Sequence, residues 1–278
     1  MSKKITQIKT HLKHFVVQLL KPIIKKCGFD LIPGYEKKLF TKFRFLDNKF
    51  FSPITEPKIK DRINKLTIDS TFSKTELCNL GKDFPTDKSP YSEKKHRHPF
   101  TAVYDLLFSN IKCEKIIMAE IGIYENNSMK CWREYFKDGL FYGFDSSEEY
   151  LEKARNQNLT NVFYSKMDVK DATNISSTFQ KIDKKFDIIL DDSTHEFEDQ
   201  IRIINSCYPF LKNGGFLIIE DIFRSDFIVS EKKYYEALKK IRKFFSNVTF
   251  IDCAHINKWS PGWDNDKLLI LIRNDTKV

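Results

Sequence analysis

"FDIILDDSTHEFEDQIRIINSCYPFLKNGGFLIIED" spans Phe186–Asp221 and decides the fold. An apolar run, Phe186 to Leu190, stops at two adjacent carboxylates, Asp191 and Asp192, with His195 three residues on. Apolar residues then recur at helical spacing through "EFEDQIRIINSCYPFLK". Gly214-Gly215 breaks that pattern, and a second apolar run closes on Glu220-Asp221. Strand, helix and strand in this order make a unit whose strands lie parallel in one sheet.

The same alternation extends in both directions. "KIIMAEIG", "LFYGFD" and "NVFYSKMD" are strand runs; "NNSMKCWREYF", "SEEYLEKARNQ" and a polar stretch over 171–182 are helical. Downstream, "SEKKYYEALKKIRKFF" is a helix, and "NVTFIDCAHI" and "KLLILIR" finish as a pair of strands. The pattern predicts an α/β fold: a Rossmann-like, doubly wound, mostly parallel sheet of seven strands, covered on both faces by helices. We place this domain over residues 86–278, behind a basic extension over 1–85. Residues 30–85 are poorly periodic and punctuated by Pro33, Pro53, Pro57 and Pro85, which predicts short helices and loops.

Open α/β sheets bind ligands outside the carboxyl ends of their strands. Four strand ends here are acidic: Glu120-Ile121-Gly122, Gly143-Phe144-Asp145, Asp191-Asp192 and Glu220-Asp221. One terminal Asp is readily explained as a helix cap. Four on a single edge are not. Asp145 follows Gly122 by 23 residues, the interval at which a dinucleotide-binding unit sets an acid on ribose hydroxyls, and Ser146 adjoins it. Gly122 would let the backbone approach a ligand closely. The loop runs Gly122-Ile123-Tyr124-Glu125-Asn126-Asn127-Ser128, without further glycines and with an acid that repels phosphate. A nucleoside without phosphates suits it better than a dinucleotide, and S-adenosylmethionine is the common ligand of that kind.

These residues carry a family resemblance. The chain resembles class I S-adenosylmethionine-dependent methyltransferases, and within them it is similar to metal-dependent sugar O-methyltransferases of the mycinamicin and rhamnosyl type, cephalosporin-hydroxylase-like proteins. "EIGIYENNSMKCWREYF", "YGFD", "FDIILDDSTH" and "LKNGGFLIIEDIF" carry it, together with the lead-in "TDKSPYSEKKHRHPFTAVYDLLF". It covers about residues 86–278. The chain departs from the family pattern after Gly122, where loop glycines are lost, at Ser193 in place of Gly, and at Phe100 in place of Tyr.

The resemblance implies transfer of a methyl group to a sugar hydroxyl. Asp192, Glu220 and Asp221 would be the metal ligands and His195 the general base. Hard oxygen donors from adjacent strand ends suit Mg²⁺, and an imidazole of ordinary pKa, ~6.5, is neutral and basic at cellular pH. Asp191 has two readings: a further ligand, or a group that orients the site and faces the cofactor. At the third strand end, Asp168 would accept from the adenine amine with Met167 packed on the ring; a helix cap is the alternative. Glu120, Gly122, Asn127, Ser128, Asp145 and Ser146 complete the expected cofactor site. Asp87, Lys88, His98 and Tyr104 in the lead-in would close over cofactor or acceptor. Trp259 and Trp263 would stack on a sugar or anchor the core.

Charge bounds the partners. Net charge is +9, yet residues 1–110 hold 22 Lys/Arg against 11 Asp/Glu, and the remainder 25 against 27. The C-terminal part is thus near neutral, which argues against a catalytic domain gripping nucleic acid. Residues 3–27 pattern as a basic amphipathic helix, with Ile5, Ile8, Leu12, Phe15, Leu19 and Ile23 on one face. That face packs on the domain or a second subunit of a homo-oligomer, or lies on anionic lipid. The six cysteines show no paired spacing, no signal peptide opens the chain, and no apolar run reaches the ~20 residues that span a bilayer. We therefore expect a cytoplasmic protein, at the inner face of the membrane if the helix meets lipid. Its acceptor would be a sugar-bearing molecule: a nucleotide sugar, glycolipid or polysaccharide. Two competing readings are a nucleotide-dependent oxidoreductase on the same topology and a basic module that binds nucleic acid or membrane.

Overall fold

Eight strands in the order β1-β7-β8-β6-β5-β2-β3-β4 form one sheet. The structure is a computed structural model that describes residues 64–223, 231–260 and 264–274. The strands are β1 (Asn64–Asp69), β2 (Ile117–Ile121), β3 (Leu140–Asp145), β4 (Val162–Lys166), β5 (Phe186–Asp191), β6 (Leu211–Ile219), β7 (Phe245–Ala254) and β8 (Lys267–Arg273). All neighbours pair in parallel except β8, which runs antiparallel to both β6 and β7. The helices are α1 (Glu76–Asp83), α2 (Thr101–Phe108), α3 (Asn127–Tyr135), α4 (Glu148–Arg155), α5 (Ala172–Ile182), α6 (Phe197–Cys207) and α7 (Glu231–Ala237).

The expected α/β architecture is present, with two differences. The sheet has an eighth strand, and it comes from residues 64–69, upstream of the boundary expected at 86. The compact unit holding the sheet runs from Lys60 to Val278. β1 escaped detection because it is a half-exposed edge strand, "NKLTID", whose outer face is polar. Second, Gly214-Gly215 is not a turn ahead of β6. Leu211 already pairs with Phe186, and the register shifts before Ile188 meets Phe216, so the glycines form an irregularity inside the strand. The helix expected over 3–27 lies outside the described residues, as does Trp263.

Period-two alternation splits the apolar strand residues between two cores. Ile189, Leu217 and Ile219 face α5, α6 and α7 with Phe179, Ile203 and Tyr234. Ile188, Leu190 and Ile218 face α2, α3 and α4 with Tyr104, Trp132 and Leu151. Burying one such Leu or Ile fully is worth about 1.5–3 kcal/mol, so the sheet is held from both sides. Local signals fix the helix starts. Ser147 caps α4 by accepting from the Tyr150 amide, with Glu148 and Glu149 in the first turn and Lys153 and Arg155 in the last. Asp171 caps α5 through the Thr173 amide. Because β2 to β6 are parallel, their acidic ends share one edge, and antiparallel β8 starts at that edge with Asp266.

Candidate functional site

A cavity of about 660 Å³ opens at this edge. Its floor is the strand-end backbone from Ile121 to Ile123; Asp145, Ser146, Met167 and Val169 form one side, and Asp192, Ser193, Thr194 and His195 the other. The lead-in closes it with Pro85 to Lys88 and Lys94 to His96. Gly122 sits between the halves at φ 88°, where a side chain would meet the Asp192 carbonyl oxygen at 2.1 Å. The glycine therefore makes room for the backbone of the neighbouring strand, and it also lines the cavity. The clearance lets Asp192 donate its amide to the Ile121 carbonyl at 2.8 Å and turn its side chain into the site.

On the cofactor side, Asp145 Oδ2 accepts from the Ile123 and Tyr124 amides at 3.2 Å each, and Oδ1 from the Ser147 amide at 2.9 Å. A carboxylate has about four lone-pair sites, so capacity remains for a ligand hydroxyl. Asn127 and Ser128 also line the cavity; Asn127 Nδ2 donates to the Pro85 carbonyl at 3.1 Å, and the Ser128 hydroxyl to Glu120 Oε2 at 2.9 Å. Three expected cofactor residues are elsewhere. Glu120 is fully buried beneath the floor, where Trp132 Nε1 also donates to it at 3.0 Å; burial pushes its carboxyl up to about 7 against Lys88, Ser128 and Trp132. Asp168 is exposed, outside the cavity lining, and accepts from the Lys170 amide at 2.9 Å; it is not the helix cap either, since Asp171 caps α5. Asp191 points to the sheet face opposite Asp192, as alternation requires, and takes the Ser193 hydroxyl at 2.6 Å. Burial pushes it up to about 7.

The polar centre gathers residues from three strand ends and the lead-in. Lys88, 2 % exposed, donates to Asp192 Oδ2 and, at 2.7 Å, to Glu220 Oε2, and its Nζ lies 3.6 Å from Glu120 Oε1. Burial would lower this amine, but Asp192, Glu220 and Glu120 outweigh it and hold the ammonium. The Tyr104 hydroxyl donates to Glu220 Oε1, so each oxygen of Glu220 accepts one hydrogen bond. Burial raises the Glu220 carboxyl, while Lys88 and His195 overcome burial at Asp192 and hold it below the usual carboxylate range.

His195 Nε2 lies 3.1 Å from Asp192 Oδ1 and 3.4 Å from Asp221 Oδ2. Both His195 (φ 59°) and Asp221 (φ 57°) have left-handed backbones, strain of a kind that clusters where a site dictates geometry. Asp192, His195 and Asp221 offer ligand atoms within 4.8 Å of one another. Glu220, expected with them, is turned inward to Lys88 and Tyr104. Asp221 Oδ1 is buried without a hydrogen-bond partner, with His98 Nδ1 3.7 Å away. An orphaned anionic oxygen beside hard donors fits a divalent cation. The histidine differs from expectation too. Burial would lower it, yet the hydrogen bond to Asp192 and the charges of Asp221 and Asp192 prevail and push it up to about 9. These acids favour the protonated ring even with Lys88 on Asp192 and His98 beside Asp221.

Of the other lead-in residues, Asp87 lines the cavity and accepts from the His98 amide through its carbonyl, while His98 Nδ1 sits 3.0 Å from Asp266 Oδ1. Trp259 is 55 % exposed and exchanges two backbone hydrogen bonds of 2.9 Å with Arg97, tying the lead-in to the β7–β8 connection. Sequence reasoning missed Asp266, although an antiparallel last strand must start at this edge. It also missed Lys94, Lys95 and His96, a basic run inside the lead-in whose direction no periodicity reveals.

Fold and site define a doubly wound, Rossmann-like protein with an acidic centre beside a nucleoside-sized cavity. The family described as "Methyltransferase domain" matches residues 124–271, more than half of the chain, and the chain belongs to that family. This sets aside the oxidoreductase reading. Among curated proteins, the demethylmacrocin O-methyltransferase of Streptomyces fradiae is 29% identical over 133 residues, covering 45% of this chain and 32% of that protein. The 8-demethyl-8-(2-methoxy-alpha-L-rhamnosyl)-tetracenomycin-C 3'-O-methyltransferase of Streptomyces olivaceus is 28% identical over 134 residues, 45% of this chain and 33% of that one. The chain thus spans about a third of the length of the curated relatives it matches. Among solved structures, the MycE methyltransferase of the mycinamycin pathway, in complex with Mg, SAH and mycinamycin VI, aligns with a TM-score of 0.56 at 18% identity. That alignment covers 74% of this chain and 57% of MycE, and it supports the fold. No helix among the described residues is long and apolar enough to cross a membrane.

Proposed function

We propose that the protein is an S-adenosylmethionine-dependent, Mg²⁺-dependent O-methyltransferase that acts on a sugar hydroxyl, in glycoside or surface polysaccharide biosynthesis. One observation carries the reading: a single cavity runs from Asp145 and Met167 to Asp192 and His195, so a nucleoside cofactor and an acceptor would meet in one chamber. Its volume lies within the several hundred Å³ usual for ligand pockets. The curated relatives are named for O-methylation of sugars on macrolide and tetracenomycin glycosides, which supports a sugar acceptor. The polysaccharide context rests on the basic N-terminal segment, since glycan assembly occurs at membranes.

Each residue has a role in this reading. Asp145 would accept from ribose hydroxyls, while Met167 and Val169 give the base an apolar wall. S-adenosylmethionine, when bound, supplies a methyl group on a sulfonium sulfur. Asp192 and Asp221 would hold a divalent cation. Such an ion supplies positive charge that lowers the pKa of a nearby hydroxyl and cancels the field keeping His195 protonated. His195 Nε2 then takes the acceptor proton. Thr86 and Asp87 add lead-in side chains to the lining of the chamber.

The test is calorimetry with S-adenosylhomocysteine, followed by methyl transfer to sugar-bearing acceptors with and without EDTA. We expect cofactor-product binding, transfer lost on chelation, and recovery with Mg²⁺. A chain that binds no S-adenosylhomocysteine refutes the cofactor, and full activity after chelation refutes the metal.

A further inference from the structure

The border of the cavity on the β1–β7 side has no part in the proposed reaction. The loops that follow β1 and β7 leave the sheet at the same edge as the acidic centre. They are tied to each other and to the lead-in. The Ile256 amide donates to Thr71 Oγ1 at 3.1 Å, Arg97 and Trp259 exchange backbone hydrogen bonds, and Tyr91 meets His255 edge-on with ring centroids 5.1 Å apart. Lys95 and His96 of that lead-in line the cavity, so the three segments make one border beside its mouth. The large side chains that this border turns to solvent are apolar: Phe72 is fully exposed, Ile256 78 % and Trp259 55 %. Cations lie among them. Residues 69–74, 91–97 and 255–260 hold Lys74, Lys94, Lys95, Arg97 and Lys258 against Asp69 and Glu93. Lys94 and Lys258 pair with Glu125 and Asp266, whereas Lys74 and Lys95 are exposed and have no ion pair among the described residues.

We propose that this border is a membrane-docking surface with anionic lipid as its partner: Phe72, Ile256 and Trp259 enter the headgroup region, Lys74 and Lys95 meet lipid phosphates, and the cavity mouth is set against the bilayer. Apolar side chains clustered on a surface recover free energy when an interface takes them out of water. Tryptophan suits the boundary between headgroups and acyl chains, and each lysine beside an anionic leaflet adds an attraction that salt screens. Ile256 argues against a glycan strand as the partner, because an aliphatic side chain offers no ring face for a sugar to stack on. The surface belongs to the compact unit from Lys60 to Val278 and uses none of residues 3–27. It goes beyond the proposed reaction. Docking needs neither cofactor nor divalent ion, so it stands or falls apart from the methyltransferase reading.

The test uses the full chain with vesicles of phosphatidylcholine alone and of phosphatidylcholine mixed with phosphatidylglycerol. Binding is read by co-sedimentation, and its place by hydrogen exchange over residues 70–74 and 255–260. We expect the chain to bind the anionic vesicles, more weakly as salt rises, with slower exchange in both segments. Phe72→Ser combined with Ile256→Ser should weaken that binding about tenfold or more. Lys74→Glu combined with Lys95→Glu should remove the preference for anionic vesicles. All four side chains are exposed, and a thermal scan of each variant checks that the fold is kept. A chain that ignores anionic vesicles overturns the proposal. So does binding with exchange unchanged in both segments, or a double serine variant that binds as the wild type does, since the contact then lies elsewhere, as at residues 3–27. Protection of the two segments that grows with protein concentration in the absence of lipid means that a second copy covers them, and overturns it too. S-adenosylhomocysteine calorimetry, which tests the cofactor reading, is scored separately and decides nothing here.

Discussion

Replacing Gly122 by alanine tests whether the contact between β2 and β5 sets the site. The added Cβ would lie 2.1 Å from the Asp192 carbonyl oxygen, 2.7 Å from its carbonyl carbon and 2.9 Å from Ser193 Cα. All three are backbone atoms, and Asp192 is pinned by its 2.8 Å hydrogen bond to Ile121, so no side chain can swing aside to make room. The left-handed φ of 88° adds a conformational penalty of about 1–2 kcal/mol for an L residue. Forcing extra volume into a packed place adds about 1–3 kcal/mol. Together they give a loss of about 2–5 kcal/mol, or a Tm lowered by roughly 4–20 °C for a unit of this size. Gly214→Ala is the control. Its φ of 79° carries the same penalty, but nothing lies within 4 Å of the added carbon, so only about 1–2 kcal/mol should be lost. Urea unfolding and thermal scans of both variants, with Mn²⁺ binding on the same samples, give the comparison. Gly122→Ala should lose more stability and also weaken Mn²⁺ binding, since the clash displaces Asp192. Equal losses in the two variants would show that the close approach has no energetic weight and refute the reasoning.

His195→Ala should lower kcat by about 10²–10⁴-fold while Mn²⁺ still binds, because the ring moves a proton rather than holding the ion; loss of Mn²⁺ binding would instead make it a ligand. Asp145→Asn should weaken S-adenosylhomocysteine binding measured by calorimetry by about tenfold or more, the worth of a charge-assisted hydrogen bond, and unchanged affinity would move the ribose elsewhere. Trp132→Phe removes the 3.0 Å donor to buried Glu120 and should cost about 1–3 kcal/mol in urea unfolding, while Trp132 indole packing is largely kept by the ring.

The sheet and its acidic edge were legible because both rest on short-range signals. Apolar runs of strand length alternating with helical periodicity give the parallel order, and parallel order alone brings Asp145, Asp192 and Asp221 to one edge. Glu220 was legible as a neighbour but not as a partner: which oxygen meets which cation depends on Lys88, and Lys88 arrives on an irregular segment that no period orders. Asp191 was decidable by alternation once the open face was known, since Asp192 must share the side of Leu190. The sequence does not say which face carries the cavity. The protonated resting state of His195 was out of reach for a related reason. Its pKa comes from two carboxylates on different strands, at distances fixed by tertiary structure.

The pairing of β1 with β7 has a consequence for the order in which the molecule is completed. Asn64 meets Thr249 and Asp69 meets Ala254, so the first strand of the unit finds its partner only near the far end of the chain. The same holds for the segment bearing Lys88, which is stitched to Trp259. Every carboxylate of the centre precedes residue 222, yet a nascent chain released to that point would lack Trp259, which pairs with Arg97, leaving the segment held through Asn127, Asp192 and Glu220. Contacts of such long sequence separation form slowly, because the loop entropy is spent before the contact repays it. A polypeptide cut shortly after β6 should therefore expose the acidic edge to solvent and fail to build the chamber, even with its full set of polar groups in place.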